Sequence, residues 1–370
     1  MPCILVAWPS LKMIINGKAM TNEIRTSIIG FGMSARVFHA PVILTIPEYR
    51  ITKVVERHRE ESREHIPGVE VVRETDALLE DDEIDLVIIT TPNDTHYDLA
   101  RRALMAGKHV VVDKPFTTTS AHAAELNQLA SRNNRIINVF QNRRWDADFQ
   151  TVEMLLDRGY LGRLVEFESR FDRFRKKRKP NSWREKPGEG SGVFFDLGPH
   201  LIDQALALFG PPQLVTADIR SQRDEALTDD NFELILHYDR LKVTLKSGML
   251  VRAETPRFLL HGTNGSFIKY GMDPQENALK DGRSPSEPGW GTETEEMWGR
   301  LDTEMNGMHF SGRVETIPGN YRGYYQNVAD AIRGRSELIV RPTQMEQTIR
   351  IIELAFQSNE EMRTVPFISG

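Results

Sequence analysis

Apolar and polar positions along this chain follow two different periods, and the change between them divides the sequence. In the first part, short strand-like runs recur: Ile28-Ile29, then residues 51–55, 69–72, 85–91 (D-L-V-I-I-T-T, the most continuously apolar), 109–113 and 136–140. Runs of this length without alternation suit strands buried on both faces. Between them lie stretches with helical spacing, one from about Asp94 to Ala106 and stopped by Gly107, another over residues 119–133. A further helix begins near Ser34 and is broken or kinked at Pro41, which has no N–H to donate. Strand and helix in alternation predict an α/β unit with a doubly wound parallel sheet.

Beyond Gln141-Asn142-Arg143-Arg144-Trp145 the pattern changes. Phe149, Val152, Leu155 and Leu156 mark one helix face, closed by Gly159. Over residues 164–174, Val165, Phe167, Ser169 and Phe171 alternate with charged residues, as in a half-buried strand. The flexible piece Gly190-Ser191-Gly192 precedes a helix that runs to about Leu208, with Pro199 suited to its first turn. Strand-like runs follow at 214–220, 232–237, 242–247 and 258–261, and the last turns through Thr263-Asn264-Gly265 into 267–270. Residues 271–319 are polar and rich in Gly, Pro and Met, which predicts long loops and short strands. Helices are expected over 321–333 and in the last segment, where Thr343 and Glu346 form a capping box ahead of the stripe Met345, Ile349, Ile352 and Phe356. The second part is thus an α+β domain with an open, mostly antiparallel sheet.

The turn after the first run reads T-S-I-I-G-F-G-M-S-A. This is the G-x-G-x-x-G/A pattern of a dinucleotide-binding strand–turn–helix. Gly30 allows the tight turn, Gly32 lets backbone approach a pyrophosphate, and Ala35 lets the helix sit close to the strand. The free amides and dipole at the helix start, around Met33 and Ser34, hold phosphate. Glu56 lies 24 residues after Gly32, where an acidic residue grips the adenosine ribose and repels a 2′-phosphate. Arg57 next to it can pair with that phosphate, so NAD is preferred over NADP without excluding the latter. Thr91, Pro92 and Asn93, with His96 just beyond, follow a strand at its carboxyl end, where such sheets bind ligands.

The 370 residues exceed what one core usually supports, and 39% apolar with 27% charged residues fits a globular protein. A net charge of -6 argues against nucleic acid. No apolar run is long enough to cross a bilayer. The single cysteine, Cys3, excludes an internal disulfide framework and fits the cytoplasm. With no H-x-x-x-H or C-x-x-C pair, no metal is expected. Residues 1–21 form an N-terminal extension, with Met20 a natural start; 22–146 form the dinucleotide-binding domain and 147–370 the substrate-binding domain.

Candidate chemistry gathers on three residues. Lys114, at the carboxyl end of a parallel strand after Asp113, can stabilise a developing alkoxide. His200, near the start of a helix, can accept a hydroxyl proton, and Asp196 can orient it or bind a neighbouring hydroxyl. Arg173, Trp183 and Arg184 precede that helix and are candidates for substrate contact. The run Arg175-Lys176-Lys177-Arg178-Lys179-Pro180 is either a solvated loop or a means of attracting an anionic substrate or the cofactor phosphates.

The segments G-F-G-M-S-A-R-V-F-H-A-P, T-T-P-N-D-T-H, V-V-V-D-K-P-F and F-D-L-G-P-H-L-I-D-Q, in this order, resemble the Gfo/Idh/MocA family of glucose–fructose oxidoreductases and inositol dehydrogenases. Q-N-R-R-W-D and S-F-I-K-Y-G resemble its bacterial scyllo-inositol dehydrogenase subgroup. The resemblance implies an NAD(P)-dependent dehydrogenase acting on a secondary alcohol of an inositol or sugar. It further implies a sheet in the second domain that makes a homodimer or homotetramer. Gly30, Gly32, Thr91, Pro92 and Asn93 fall on the family's cofactor residues, Lys114 on its E-K-P lysine, and Asp196 and His200 on its D-x-x-x-H pair. The bond to Pro115 is expected to be cis. Asp113 departs from the usual glutamate and shifts the lysine's hydrogen bonding. The rivals are an oxidoreductase for another sugar derivative and a cofactor-binding regulator; the latter has no need of Lys114, Asp196 and His200.

Overall fold

The computed structural model describes residues 23–179 and 182–368; the expected extension, with Cys3 and Met20, lies outside them. Six strands form the first sheet: β1 (Ile24–Ile29), β2 (Tyr49–Val55), β3 (Glu70–Val72), β4 (Leu86–Ile89), β5 (His109–Val112) and β6 (Ile137–Val139). They stand in the order β3-β2-β1-β4-β5-β6 and every pairing is parallel. All four residues of β4 are buried, as an unbroken apolar run in a covered sheet requires. The strand order reverses between β1 and β4, which opens a crevice at their carboxyl ends.

The helix after β1 differs from the expectation. Ala35–His39 is a π-helical turn that continues into α1 (Ala40–Ile43), with Pro41 in the first turn of α1. The Ala40 N–H reaches back to Ala35 O, so the ladder has already shifted by one residue ahead of the proline and the helix runs on through it. The remaining helices of this layer are α2 (Ser62–His65), α3 (Asp76–Leu79), α4 (His96–Met105) and α5 (Ser120–Arg132).

After α6 (Ala147–Asp157) comes a nine-stranded sheet. Its strands are β7 (Leu164–Arg170), β8 (Leu214–Arg220), β9 (Asn231–His237), β10 (Lys242–Gly248), β11 (Phe258–Gly262), β12 (Gly265–Lys269), β13 (Gly299–Met305), β14 (Met308–Val314) and β15 (Val365–Pro366). The order is β14-β13-β12-β11-β7-β10-β9-β8-β15, antiparallel except where β7 meets β10. The segment expected to hold loops and short strands therefore carries two seven-residue strands, β13 and β14. Their alternation is masked in sequence because the outer strand has almost no buried side to show.

α7 (Gly192–Phe209) lies on β9 and β10, while α8 (Gln275–Lys280) and α9 (Arg322–Ile332) border the first unit. α10 (Pro342–Glu361) packs on α7 and β8 on one side and on α5 and β6 on the other. It starts earlier than the expected capping box. Pro342 takes its first position, and Gln344 Oε1 accepts the Arg341 N–H at 3.3 Å, so Thr343 and Glu346 lie inside it. No helix among the described residues is long and apolar enough to cross a membrane.

Candidate active site

A cleft of about 1110 Å³ opens at the carboxyl ends of the parallel strands. Gly30 turns there with φ +86°, and a Cβ on it would stand 3.2 Å from Thr91 Cγ2. A Cβ on Gly32 would meet nothing within 4 Å, so this backbone faces open space into which a phosphate fits. Met33 and Ser34 border the cleft, whereas Ala35 is fully buried behind them. Ser34 Oγ donates to Asp113 Oδ2 at 2.5 Å, and Asp113 Oδ1 accepts the Lys114 N–H at 2.7 Å. The short carboxylate thus ties the glycine turn to the end of β5 and leaves the lysine side chain to another partner. The Lys114-Pro115 bond is cis.

Thr91, Pro92 and Asn93 form the opposite lip, where Asn93 Nδ2 donates to Gly190 O at 2.7 Å. His96 is not in the cleft. Its ring is buried between Pro115 O, 2.8 Å from Nδ1, and Thr91 O, 3.0 Å from Nε2. Burial lowers its pKa, and a neutral imidazole has one N–H to share between the two carbonyls. It braces the two segments that carry the lips.

Glu56 does not have a carboxylate free to grip a ribose. It is 6% exposed and accepts the N–H groups of Glu61 at 3.0 Å and Ser62 at 2.9 Å, with the Ser62 hydroxyl donating as well. Unpaired amides at the start of α2 draw it inward. Arg57, His58, Arg59 and Arg73 border that end of the cleft, with Glu74 beside them; Arg59 is paired with Glu61 at 2.7 Å and Arg73 with Glu60 at 2.5 Å. Arg73 is held there by Glu56 O at 2.9 Å and Arg59 O at 2.6 Å. The E-R-H-R run was visible in sequence; Arg73, from the far end of β3, was not.

At the other end, Lys114 Nζ donates to Asp196 O and stands 3.1 Å from Asp196 Oδ1. Arg184 Nε lies 3.3 Å from the same oxygen. Burial opposes the charge on Asp196, but Lys114, Arg184 and Arg173 outweigh it and hold the carboxyl below its ordinary range. His200, one turn along α7, is buried, and its Nδ1 has no hydrogen-bond partner among the described residues. Phe171 meets its ring edge-on at 6.2 Å. Burial first, then the charges of Lys114, Arg143, Arg257 and Arg173, push the imidazole well below 6.5, so it is neutral.

Two expectations change here. α7 begins at Gly192, so Pro199 lies inside it and His200 near its middle. Asp229, ahead of β9, accepts the Phe194 N–H at 2.6 Å and caps that start. Asp196 does not touch His200; its contacts are Lys114 and Arg184, whose charge draws the carboxylate away. Trp183 and Arg184 border the cleft, whereas Arg173, Asp196 and His200 are not among its lining residues.

Residues 24–141 match the family model for the NAD-binding Rossmann fold of the GFO/IDH/MocA oxidoreductases, and residues 154–367 match the model for their C-terminal alpha/beta domain. The chain belongs to the Gfo/Idh/MocA oxidoreductase family. Within it, the chain is 38% identical to the scyllo-inositol 2-dehydrogenase (NADP(+)) IolW of Bacillus subtilis, over 95% of this chain and 98% of that one. It is 43% identical to the uncharacterized oxidoreductase YdgJ of Escherichia coli, over 94% and 99%. The solved structure of yvaA from Bacillus subtilis superposes with a TM-score of 0.91 at 38% identity, covering 94% of this chain and 99% of that one. The family's Rossmann unit is an NAD(P)-binding domain, and the parallel sheet and glycine turn described above are its counterpart here.

Proposed function

We propose that this protein is an NADP-dependent dehydrogenase that moves a hydride between the nicotinamide and a secondary alcohol or ketone of an inositol or sugar. The observation that carries the reading is the Lys114–Asp196 contact at the cleft, with the neutral, unpartnered imidazole of His200 one turn along the same helix. When bound, the cofactor supplies the hydride acceptor. Lys114 donates to the carbinol oxygen and stabilises alkoxide character as it develops. His200 accepts the hydroxyl proton, which a neutral ring can do and an imidazolium cannot. Asp196 is a positioning residue that holds the Lys114 ammonium, and Arg184 and Trp183 meet substrate from the cleft wall.

Preference for NADP is argued from the inward turn of the Glu56 carboxylate and the basic Arg57, His58, Arg59 and Arg73 beside it. A guanidinium pair suits a phosphate dianion, and the Glu56 carboxylate is turned away from it. The relative IolW, a scyllo-inositol 2-dehydrogenase (NADP(+)), supports the same preference. We further assign residues 22–146 and 147–370 as the two domains, the cytoplasm as the compartment, and the uncovered face of the nine-stranded sheet as the self-association surface. At its β14 edge, Met308 and Phe310 are 72% and 51% exposed.

The test is nicotinamide absorbance with purified protein, NADP and NAD offered separately against inositol stereoisomers and aldoses. Turnover with NADP ahead of NAD is expected. Thermal stabilisation by cofactor without turnover of any alcohol would replace the enzyme reading with a regulator.

A further inference from the structure

We infer that residues 186–191 form a strap latched across the cleft, and that the cofactor enters and leaves only when the bond between Thr118 and Glu189 opens. Thr118 and Glu189 are then positioning residues that hold the strap. The inference rests on dinucleotide binding in this cleft and not on which alcohol is oxidised.

The strap belongs to the second unit, yet its tip is bonded to the first. Thr118 Oγ1, just beyond Pro115, donates to Glu189 Oε1. Asn93 Nδ2, on the lip after β4, donates to Gly190 O at 2.7 Å. Gly190 is seated closely there. It has φ +72°, and a Cβ on it would stand 3.0 Å from Asn93 Cβ and 3.2 Å from Thr118 Cγ2. The strap thus crosses the chain segments that leave β4 and β5 at their carboxyl ends. Lys186, Pro187, Gly188, Glu189 and Ser191 border the same cavity as the turn Gly30–Ser34 and Lys114. A dinucleotide that occupies this cavity therefore has the strap as part of its wall.

Both ends of the strap are anchored, and the piece between them is not. Ahead of it, the Glu185 carboxylate accepts the Lys179 N–H at 3.2 Å and lies 3.4 Å from Arg223, a buried guanidinium also paired with Asp230 at 2.7 Å. Behind it, Gly192 is pressed against Asp229, which caps α7. Residues 188–191 close a turn of their own, where Gly188 O accepts the Ser191 N–H at 3.2 Å and the Ser191 hydroxyl at 2.7 Å. Residues 186–189 are exposed, and a Cβ on Gly188 would meet nothing within 4 Å. The segment buries no apolar side chain, so the bonds at Glu189 and Gly190 are what hold it down. These bonds lie wholly within the protein and resist entry and exit alike. Weakening one raises both rates and leaves the dissociation constant where it was, because the latch does not distinguish the free from the bound protein. A side chain that gripped the cofactor itself would alter release and the dissociation constant together.

The experiment is stopped-flow fluorescence of NADPH with the full protein, entry measured on mixing and release by displacement with excess NADP. Thr118→Val and Glu189→Ala should each raise kon and koff by roughly tenfold or more, as expected for loss of a hydrogen bond to a carboxylate, with the dissociation constant holding within about threefold. The double variant should match the singles, because all three lack the same bond. Glu189→Gln keeps an acceptor and should restore part of the parent's slow exchange. Thr118→Val keeps the side chain's shape and Glu189 is exposed, so all variants should melt with the parent. Faster release with unchanged entry overturns the gate, since the residue would then hold the cofactor itself. Parent-like rates in Thr118→Val overturn it as well, and so do additive effects in the double variant. If neither NADPH nor NADH binds, the cofactor reading fails and takes the inference with it. Binding with unaltered rates removes the latch alone.

Discussion

Lys114, which follows β5, reaches Asp196 on α7 through both the main-chain oxygen and Oδ1, the latter at 3.1 Å, and so joins the parallel sheet to α7. Lys114→Ala removes a donor made most useful in the transition state, so turnover should fall by about 10²–10⁴-fold while the NADPH dissociation constant changes only about threefold. Stopped-flow hydride transfer with fluorescence titration checks both, and near-normal turnover would sink the assignment. At the other end of the cleft, Arg57→Ala should raise the KM for NADP by roughly tenfold and leave the KM for NAD within about twofold. Equal effects on the two would remove Arg57 from phosphate binding. A third residue acts on stability. His39 is buried, with Nδ1 2.5 Å from the Tyr325 hydroxyl, and burial lowers its pKa to about 4. Between the unfolded value of 6.5 and about 4 the unfolded chain binds more protons, so stability is lost as pH falls through that window. The loss is roughly 3 kcal/mol when complete. Denaturant unfolding of His39→Asn near pH 7 and near pH 5 should show a smaller acid loss than the parent.

Among the elements, α7 carries both Asp196 and His200, and its position depends on how it begins. Gly192 has φ +94°, and a Cβ there would stand 1.8 Å from Asp229 Oδ1, the carboxylate that caps the helix. Gly192→Ala should therefore cost about 2 kcal/mol or more and lower kcat together with stability, because the helix start must shift away from its cap. Unchanged melting and unchanged kcat would show that α7 is positioned elsewhere. The helix itself was legible from its apolar spacing. Its start was not, since the cap arrives from the strand side of the fold, and Pro199 within the helix looked like a better first-turn residue. The strands of the parallel sheet were legible because both faces are apolar. β13 and β14 were hidden because an edge hairpin with one exposed strand leaves little alternation to read.

For the whole molecule, the cleft exists only while the two sheets keep their relation. Arg144, just after the parallel sheet, grips Asp203 of α7 through two bonds, at 2.8 Å and 2.6 Å, with both side chains buried. Asp203→Ala would leave that guanidinium buried without its carboxylate and should cost about 3–5 kcal/mol. Arg144→Met with Asp203→Leu should recover much of this, as an apolar pair leaves no orphaned charge. Urea midpoints of the single and double variants measure it, and a single variant as stable as the parent would refute the bridge. α10 adds a second tie, where Glu353 accepts the Ser120 N–H and hydroxyl, each at 2.7 Å.

By itself the sequence determined the parallel sheet, the glycine turn and the family, and it singled out Lys114, Asp196 and His200 as candidates. These follow from local periods and short motifs, which need only neighbours in the chain. Only the tertiary structure decided what each side chain faces. Glu56, placed correctly at the end of β2, has its carboxylate taken by the start of α2. Asp196, placed correctly four residues before His200, turns to Lys114 and Arg184 instead. Arg73 joins the cofactor end from the far side of the sheet. Electrostatic partners act across space, at distances that separation along the chain does not encode, so charge balance at a site becomes readable only once the fold has closed around it.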